Sequence, residues 1–260
     1  AMLAAEHNLH AFVEKPLAMK ASEADQIVQA FRKSGKILMV GHVVRFFGEY
    51  VQARHRVLSG AIGSPVMIRT TRAGRMPRGV GNWFGNYAQS GGVILDLIVH
   101  DLDYAVWCFG APRRVYAKSV VSDVNAVGVS LDHAFVTVKF QNGVIGHFEG
   151  SWALPDGFYT AFEVSGSGGI IQYDSRKVSP LLLSESAAEE GQKPNVFLPE
   201  SPLHDCPYRS EVQHFAEVLQ GKAELVVKPE DAVTCVAVAA SAWWSLRTGQ
   251  SVQIQGGAKS

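Results

Sequence analysis

The 260-residue chain carries little charge and no excess of either sign: charged residues make up 18% of it, with 24 basic and 24 acidic side chains. Without a net field of one sign, the composition argues against nucleic acid or an anionic membrane surface as the main partner. Cysteine is scarce. Cys108, Cys206 and Cys235 are odd in number, lie far apart and form no C-x-x-C. That argues against a disulfide scaffold or a zinc knuckle and makes a cytoplasmic, reducing compartment the expectation. Long apolar runs are missing too. The longest uncharged helical stretch, Ala232 to Leu246, falls short of the roughly 18 residues that span a bilayer. The opening AMLAAEHNLH lacks the basic region and unbroken apolar stretch of a signal peptide. What is abundant is apolar: 47% of the residues are hydrophobic, enough for a substantial core and too many for a disordered chain.

The first forty residues read as the tail of an α/β unit. Leu9–Val13 is strand-like and runs into Glu14-Lys15-Pro16. Ser22 suits a helix N-cap, followed by Ala24, Ile27, Val28 and Phe31 at helical spacing, and Gly35 suits the C′ position. Ile37–Val40 is a continuous apolar run, as in a strand buried on both faces. Strand, helix, strand implies a parallel crossover, whose ligands sit beyond the carboxyl ends of the strands, where Glu14-Lys15-Pro16 and Gly41-His42 fall.

The period then changes. A helix near Glu49–Leu58, a strand near Val66–Thr71 and a loop from Ala73 to Ser90 lead to Gly91-Gly92, which opens an apolar helix ending near Phe109. From Arg114 to Tyr173 the chain reads as hairpins, with Asn142-Gly143 as a turn signal and residues of opposite polarity alternating from Val144 to Trp152. Gly166–Gly169 lies between two strand-like segments without a helix after it, so a hairpin turn is favoured over a phosphate loop. Residues 180–206 read as a long loop, and helices over Tyr208–Gln220 and Pro229–Arg247 close the chain.

Three groups of residues could carry chemistry. Lys15 at a strand end could stabilise a developing alkoxide; a surface lysine in a turn is the alternative. Asp96 and His100, four apart in an apolar helix, share one face. A carboxylate beside an imidazole raises its basicity and orients it, as a general base acting on a hydroxyl requires; a buried structural pair is the other reading. Arg72, Arg75 and Arg78, with Trp83 and Tyr87, could contact an anionic or polyhydroxylated ligand or form a solvated loop. His100-Asp101 also matches the metal-binding dyad of phosphohydrolases, but no second His/Asp cluster has ligand-like spacing, so no metal is expected.

Glu14-Lys15-Pro16, G-H-x-x-R-F at Gly41–Phe46, G-G-x-x-x-D-x-x-x-H at Gly91–His100 and Tyr208-x-x-Glu211-x-x-x-Phe215 occur in an order that resembles the Gfo/Idh/MocA oxidoreductases. The resemblance implies NAD or NADP as cofactor and a sugar, cyclitol or related polyol as substrate. It places Lys15, Asp96 and His100 as catalytic residues. Glu14, Lys15, Pro16, His42 and Arg45 would face the cofactor, and Lys15, Arg72, Trp83, Asp96 and His100 the substrate. It implies a homo-oligomer formed through the open face of the sheet.

The expected fold is α+β: an open, mostly antiparallel sheet covered by helices on one face over residues 43–260, preceded by the tail of a Rossmann-like unit over residues 1–42. The 260 residues contain no G-x-G-x-x-G pyrophosphate loop, so this reading treats residues 1–42 as a remnant and the chain as truncated, with poor dinucleotide binding by itself. A non-catalytic sugar-binding or assembly module, or a metal phosphohydrolase, are the competing classes.

Overall fold

A computed structural model describes residues 1–77, 83–120, 133–177, 181–185, 196–197 and 206–254. A short helix, α1 (Met2–Glu6), leads into β1 (Ala11–Glu14), α2 (Ala21–Ser34) and β2 (Leu38–Gly41). The two strands pair in parallel with Glu14 opposite Gly41. The buried residues of α2 are Ala24, Val28 and Phe31, one face of the helix, and Gly35 ends it in the left-handed conformation at φ 65°. Its N-cap is Lys20 with no side-chain cap, so Ser22 lies inside the first turn and does not cap it.

A 3-10 turn (Val43–Phe46) and α3 (Gly48–Leu58) connect to β3 (Pro65–Arg75). This strand outlasts the expected one because it is bonded on both sides, parallel to β6 (Ile145–Ser151) and antiparallel to β7 (Ala153–Gly166). Arg72 and Arg75 therefore lie on a strand and not in a loop, and Arg78 lies outside the described residues. After α4 (Tyr87–Ser90) the expected single helix begins with a π-helical turn, Ile94–Ile98, before α5 (Val99–Phe109).

The large sheet adds β4 (Pro112–Val120), β5 (His133–Phe140), β8 (Gly169–Asp174), β9 (Leu181–Glu185), β10 (Val196–Phe197) and, after α6 (Pro207–Leu219) and α7 (Pro229–Thr248), β11 (Val252–Gln253). Its order is β10-β9-β8-β7-β3-β6-β5-β4-β11. Within this sheet only β3 and β6 run parallel among the described pairs, which makes it mostly antiparallel and the fold α+β. Asn142-Gly143 forms the β5–β6 turn, with Gly143 at φ 95° and the Asn142 side chain accepting from the Val144 amide at 3.2 Å. Gly166–Gly169 is the β7–β8 hairpin turn. β9 and β10 fall within the stretch read as a loop.

Alternation along the strands sorts the two faces. Val136, Val138, Phe140 and Phe148 are buried toward the helical layer, while Phe135, Ile145 and Tyr116 stay exposed on the other side. Among the described residues no helix is long and apolar enough to cross a membrane.

The segment from Gly91 to Phe109 is fitted onto the sheet by backbone demands. Gly91 and Gly92 sit at φ 75° and 65°, a conformation costly for any residue with a side chain. A Cβ on Gly150 would stand 2.4 Å from Ile98 Cγ1 and 3.2 Å from Val93 Cγ2. Gly150→Ala should therefore overpack the contact and cost about 1–3 kcal/mol. Trimming the opposing side chain with Ile98→Ala should make the double variant less destabilised than the sum of the two single changes. Denaturant unfolding of all three variants measures the coupling.

Candidate active site

The carboxyl ends of β1 and β2 present Glu14, Lys15, Pro16 and His42 together, as their sequence positions implied. The Lys15–Pro16 peptide is cis. The Lys15 ammonium crosses from the small sheet to the π-helical turn, donating to the Asp96 carbonyl oxygen at 2.6 Å and to Asp96 Oδ1 at 3.0 Å. Both side chains are largely buried, 16% and 9% exposed. A π turn is wider than an α turn and opens carbonyls to outside partners, so this irregularity gives one lysine two acceptors on one residue.

His100 lies in the first turn of α5, half-buried, its buried Nδ1 without a hydrogen-bond partner among the described residues. One expectation is overturned here. The Asp96 carboxylate serves Lys15 and makes no hydrogen bond to His100 among the described contacts, so it does not raise the imidazole's basicity. Burial, and after it the positive charges of Lys15 and Arg72, hold the His100 pKa well below the usual imidazole value. At neutral pH the ring is uncharged and free to accept a proton.

Two arginines expected to face ligands are placed otherwise. Arg45 is fully buried and forks onto Asp103 at 2.8 and 2.6 Å, with further bonds to the Val226 carbonyl at 2.8 Å and Asp231 at 3.0 Å. Arg72 is buried on the helical side of the sheet and forks onto Asp101 at 2.8 and 3.1 Å, with Tyr50 Oη at 3.3 Å. Both guanidiniums are committed inside the protein because a desolvated cation needs a carboxylate partner. Trp83 is partly exposed and packs edge-on against Phe84; no described contact ties it to Lys15 or His100.

His42, Asp103 and Cys235 bring donor atoms within 4.8 Å of one another. Both Asp103 oxygens are taken by the Arg45 guanidinium, and burial keeps the Cys235 thiol protonated, so this donor set does not suit a cation. The His100-Asp101 dyad fails as a metal pair for the same reason, since Arg72 occupies Asp101. A polar organic ligand fits better. Three buried polar atoms, His42 Nδ1, His100 Nδ1 and Glu211 Oε1, have no hydrogen-bond partner among the described residues, His42 Nδ1 lying 3.7 Å from Asp103 Oδ1.

Glu211 belongs to the Tyr208-x-x-Glu211-x-x-x-Phe215 motif, and nothing in the sequence around it marks a role. α6 is seated by Phe215 against Phe12 at 5.7 Å and by His214 against Phe46 at 5.4 Å, which buries the Glu211 carboxyl to 2% exposure. Burial, and then the Glu14 and Asp103 carboxylates, push its pKa up to about 8. Asp101 and Asp103, the acids that hold the arginines, were likewise unassigned; the run His100-Asp101-Leu102-Asp103 in an apolar helix was the available signal.

Because the folded state keeps the Glu211 proton that the unfolded chain loses near 4.5, stability tied to this group falls as pH rises from about 4.5 to about 8. Glu211→Gln removes that loss. Its melting temperature relative to wild type should climb steadily between pH 5 and pH 8, as read by thermal denaturation across that range.

Comparison with known proteins adds what geometry alone does not. Residues 1–42 match the model of an oxidoreductase family with an NAD-binding Rossmann fold, and residues 50–172 match the GFO/IDH/MocA C-terminal domain. The chain is 26% identical to myo-inositol 2-dehydrogenase of Thermotoga maritima, over 95% of this chain and 73% of that protein. It is 28% identical to scyllo-inositol 2-dehydrogenase (NAD(+)) of Bacillus subtilis, over 96% of this chain and 72% of that one. The crystal structure of a probable dehydrogenase from Thermotoga maritima superposes with a TM-score of 0.79 at 27% identity, covering 97% of this chain and 76% of that one. With both family models matched in order along the chain, the protein belongs to the Gfo/Idh/MocA family of NAD-binding oxidoreductases.

Proposed function

We propose that this protein oxidises a secondary hydroxyl of a cyclitol, sugar or related polyol with NAD or NADP, Lys15, Asp96 and His100 carrying the proton chemistry. The observation that supports the reading most is the Lys15–Asp96 contact, which brings a lysine held in place by two acceptors to the helix that bears a neutral histidine. Residues 1–42 form the cofactor side of the site, and residues 43–260 the substrate and oligomerisation side. Glu14, Lys15, Pro16 and His42 line the strand ends against which the nicotinamide would lie. A bound nicotinamide dinucleotide supplies the hydride acceptor.

The chain's own residues manage the other half of the reaction. As the carbinol C–H bond breaks, the hydroxyl oxygen gains negative charge. The Lys15 ammonium, still bearing a proton not committed to Asp96, stabilises that oxygen. The uncharged His100 ring takes the hydroxyl proton and becomes imidazolium, and returns it in the reverse direction. Asp96 acts on Lys15, fixing where the ammonium points and balancing its charge before substrate arrives. A non-catalytic sugar-binding module would need neither a neutral base nor a lysine fixed beside it.

Catalysis by this group requires that His100→Asn lower kcat by roughly 10²–10⁴-fold at neutral pH, the range for a positioned acid or base. Lys15→Ala should lose rate and also raise the cofactor KM, because Lys15 sits where sheet and nicotinamide meet. Asp96→Asn should fall between wild type and His100→Asn. Turnover of myo-inositol and related polyols in the intact protein, with melting temperatures measured alongside, checks all three. A folded His100→Asn enzyme at wild-type speed rejects the assignment.

The protein also forms a homo-oligomer through the outer face of the large sheet. Phe135 is 51% exposed there, opposite Glu149 of β6, and Ile145 and Tyr116 are exposed on the same face, a mixture of apolar and charged groups usual for subunit interfaces. Phe135→Glu should shift the sedimentation coefficient toward that of a monomer without lowering the melting temperature of the isolated subunit.

A further inference from the structure

We propose that Arg72 is a positioning residue for His100: its guanidinium anchors the turn that carries the imidazole and cancels the buried charge of Asp101 beside it. The proposal rests on the reading of His100 as proton acceptor, but its test does not. Arg72 comes from the central strand β3 and Asp101 from the first turn of α5, so their forked contact at 2.8 and 3.1 Å clamps that turn to the sheet. Tyr50 of α3, hydrogen-bonded to Arg72 at 3.3 Å, packs its ring on Tyr104 at 4.9 Å and closes the cluster from a third element. Asp101 is 1% exposed and Arg72 6%, so neither charge is screened by water.

The charged groups around His100 come in matched pairs. Lys15, from the end of β1, is balanced by Asp96 in the preceding turn. Arg72, from β3, is balanced by the adjacent Asp101. His42, from the end of β2, is itself uncharged, with its pKa lowered by burial, and Tyr50 is held protonated. With both pairs intact, burial first and the Lys15 and Arg72 charges after it keep the His100 proton off. Removing the Arg72 charge leaves a bare, buried carboxylate next to the imidazole. That carboxylate favours the protonated ring, so His100 holds its proton to a higher pH than in the wild type.

This account predicts effects of opposite sign that a purely structural clamp would not give. The measurement is NMR titration of the intact chain with isotope-labelled histidine, the His100 resonance being assigned by its loss in His100→Asn. Arg72→Met should raise the His100 midpoint by about one pH unit or more. Asp101→Asn, which leaves Arg72 unbalanced, should lower it or keep the ring neutral throughout. The Arg72→Met/Asp101→Asn double variant should return toward wild type. Arg72→Lys keeps the charge but loses the fork, and should shift the midpoint upward by less than Arg72→Met. Should Arg72→Met not fold, Arg72→Lys and Asp101→Asn still oppose each other in sign. Equal midpoints in wild type and a folded Arg72 variant, or shifts of the same sign in Arg72→Lys and Asp101→Asn, overturn the proposal. If instead the midpoints move as stated while His100→Asn turns over normally, the pair acts as described and His100 is not the acceptor.

Discussion

The buried fork between Arg45 and Asp103 is the contact on which the site's geometry depends. Arg45 leaves the carboxyl end of β2 in the 3-10 turn, and Asp103 stands on α5, so the pair pins the small parallel sheet to the helix that carries His100. The bond from the same guanidinium to Asp231 brings in α7. Such a pair is weak evidence of net stability, since stripping water from two charges costs about what their attraction returns. Losing one partner, by contrast, typically costs about 3–5 kcal/mol because the other is stranded in the interior. Its value is register. With β2 and α5 fixed together, β1, paired to β2 along its whole length, has one place to end, and Lys15 meets Asp96.

The same helical segment repeats this device three times. Asp96, Asp101 and Asp103 face Lys15, Arg72 and Arg45, cations from three different strands or strand ends. Each pair is internally neutral, so the two histidines among them experience burial more than net charge, and both have depressed pKa values. An unfolded chain would protonate them near 6.5, so their contribution to stability is lost as pH falls below that value. Glu211 slopes the other way between about 4.5 and 8. The two trends oppose each other up to about 6.5, above which only the loss tied to Glu211 remains.

Much of this was legible in the sequence, and the parts that were not share a cause. Periodicity and turn chemistry gave α2, the β5–β6 hairpin at Asn142-Gly143 and both closing helices, because each is decided by residues close in the chain. The motifs placed Glu14, Lys15, Pro16 and His42 at strand ends correctly. What spacing could not show is which charge pairs with which. Asp96 and His100 share a helical face, yet the partner of Asp96 is 81 positions away in sequence. Arg45 and Arg72 read as ligand contacts because a lone arginine carries no mark of the aspartate it will meet, 58 and 29 residues later. The π-helical turn was equally hidden, since its residues are ordinary helix formers and the widening comes from what presses on them.

That pressure explains why the irregularity persists. A π turn has poorer hydrogen-bond geometry than the α-helix on either side, so something outside must hold it. Lys15 grips it from the side of the small sheet through the Asp96 carbonyl and carboxylate. On the side of the large sheet, Gly150 lets β6 come within contact of Ile98 and Val93, so the last residue of the turn rests directly on backbone. Between these two supports stand Asp96 and the approach to His100. On the proposed reading of His100 as proton acceptor, a displacement of about 1 Å would cost roughly two orders of magnitude in rate. The close contact at Gly150 and the salt bridge at Lys15 therefore hold the same turn, from opposite faces.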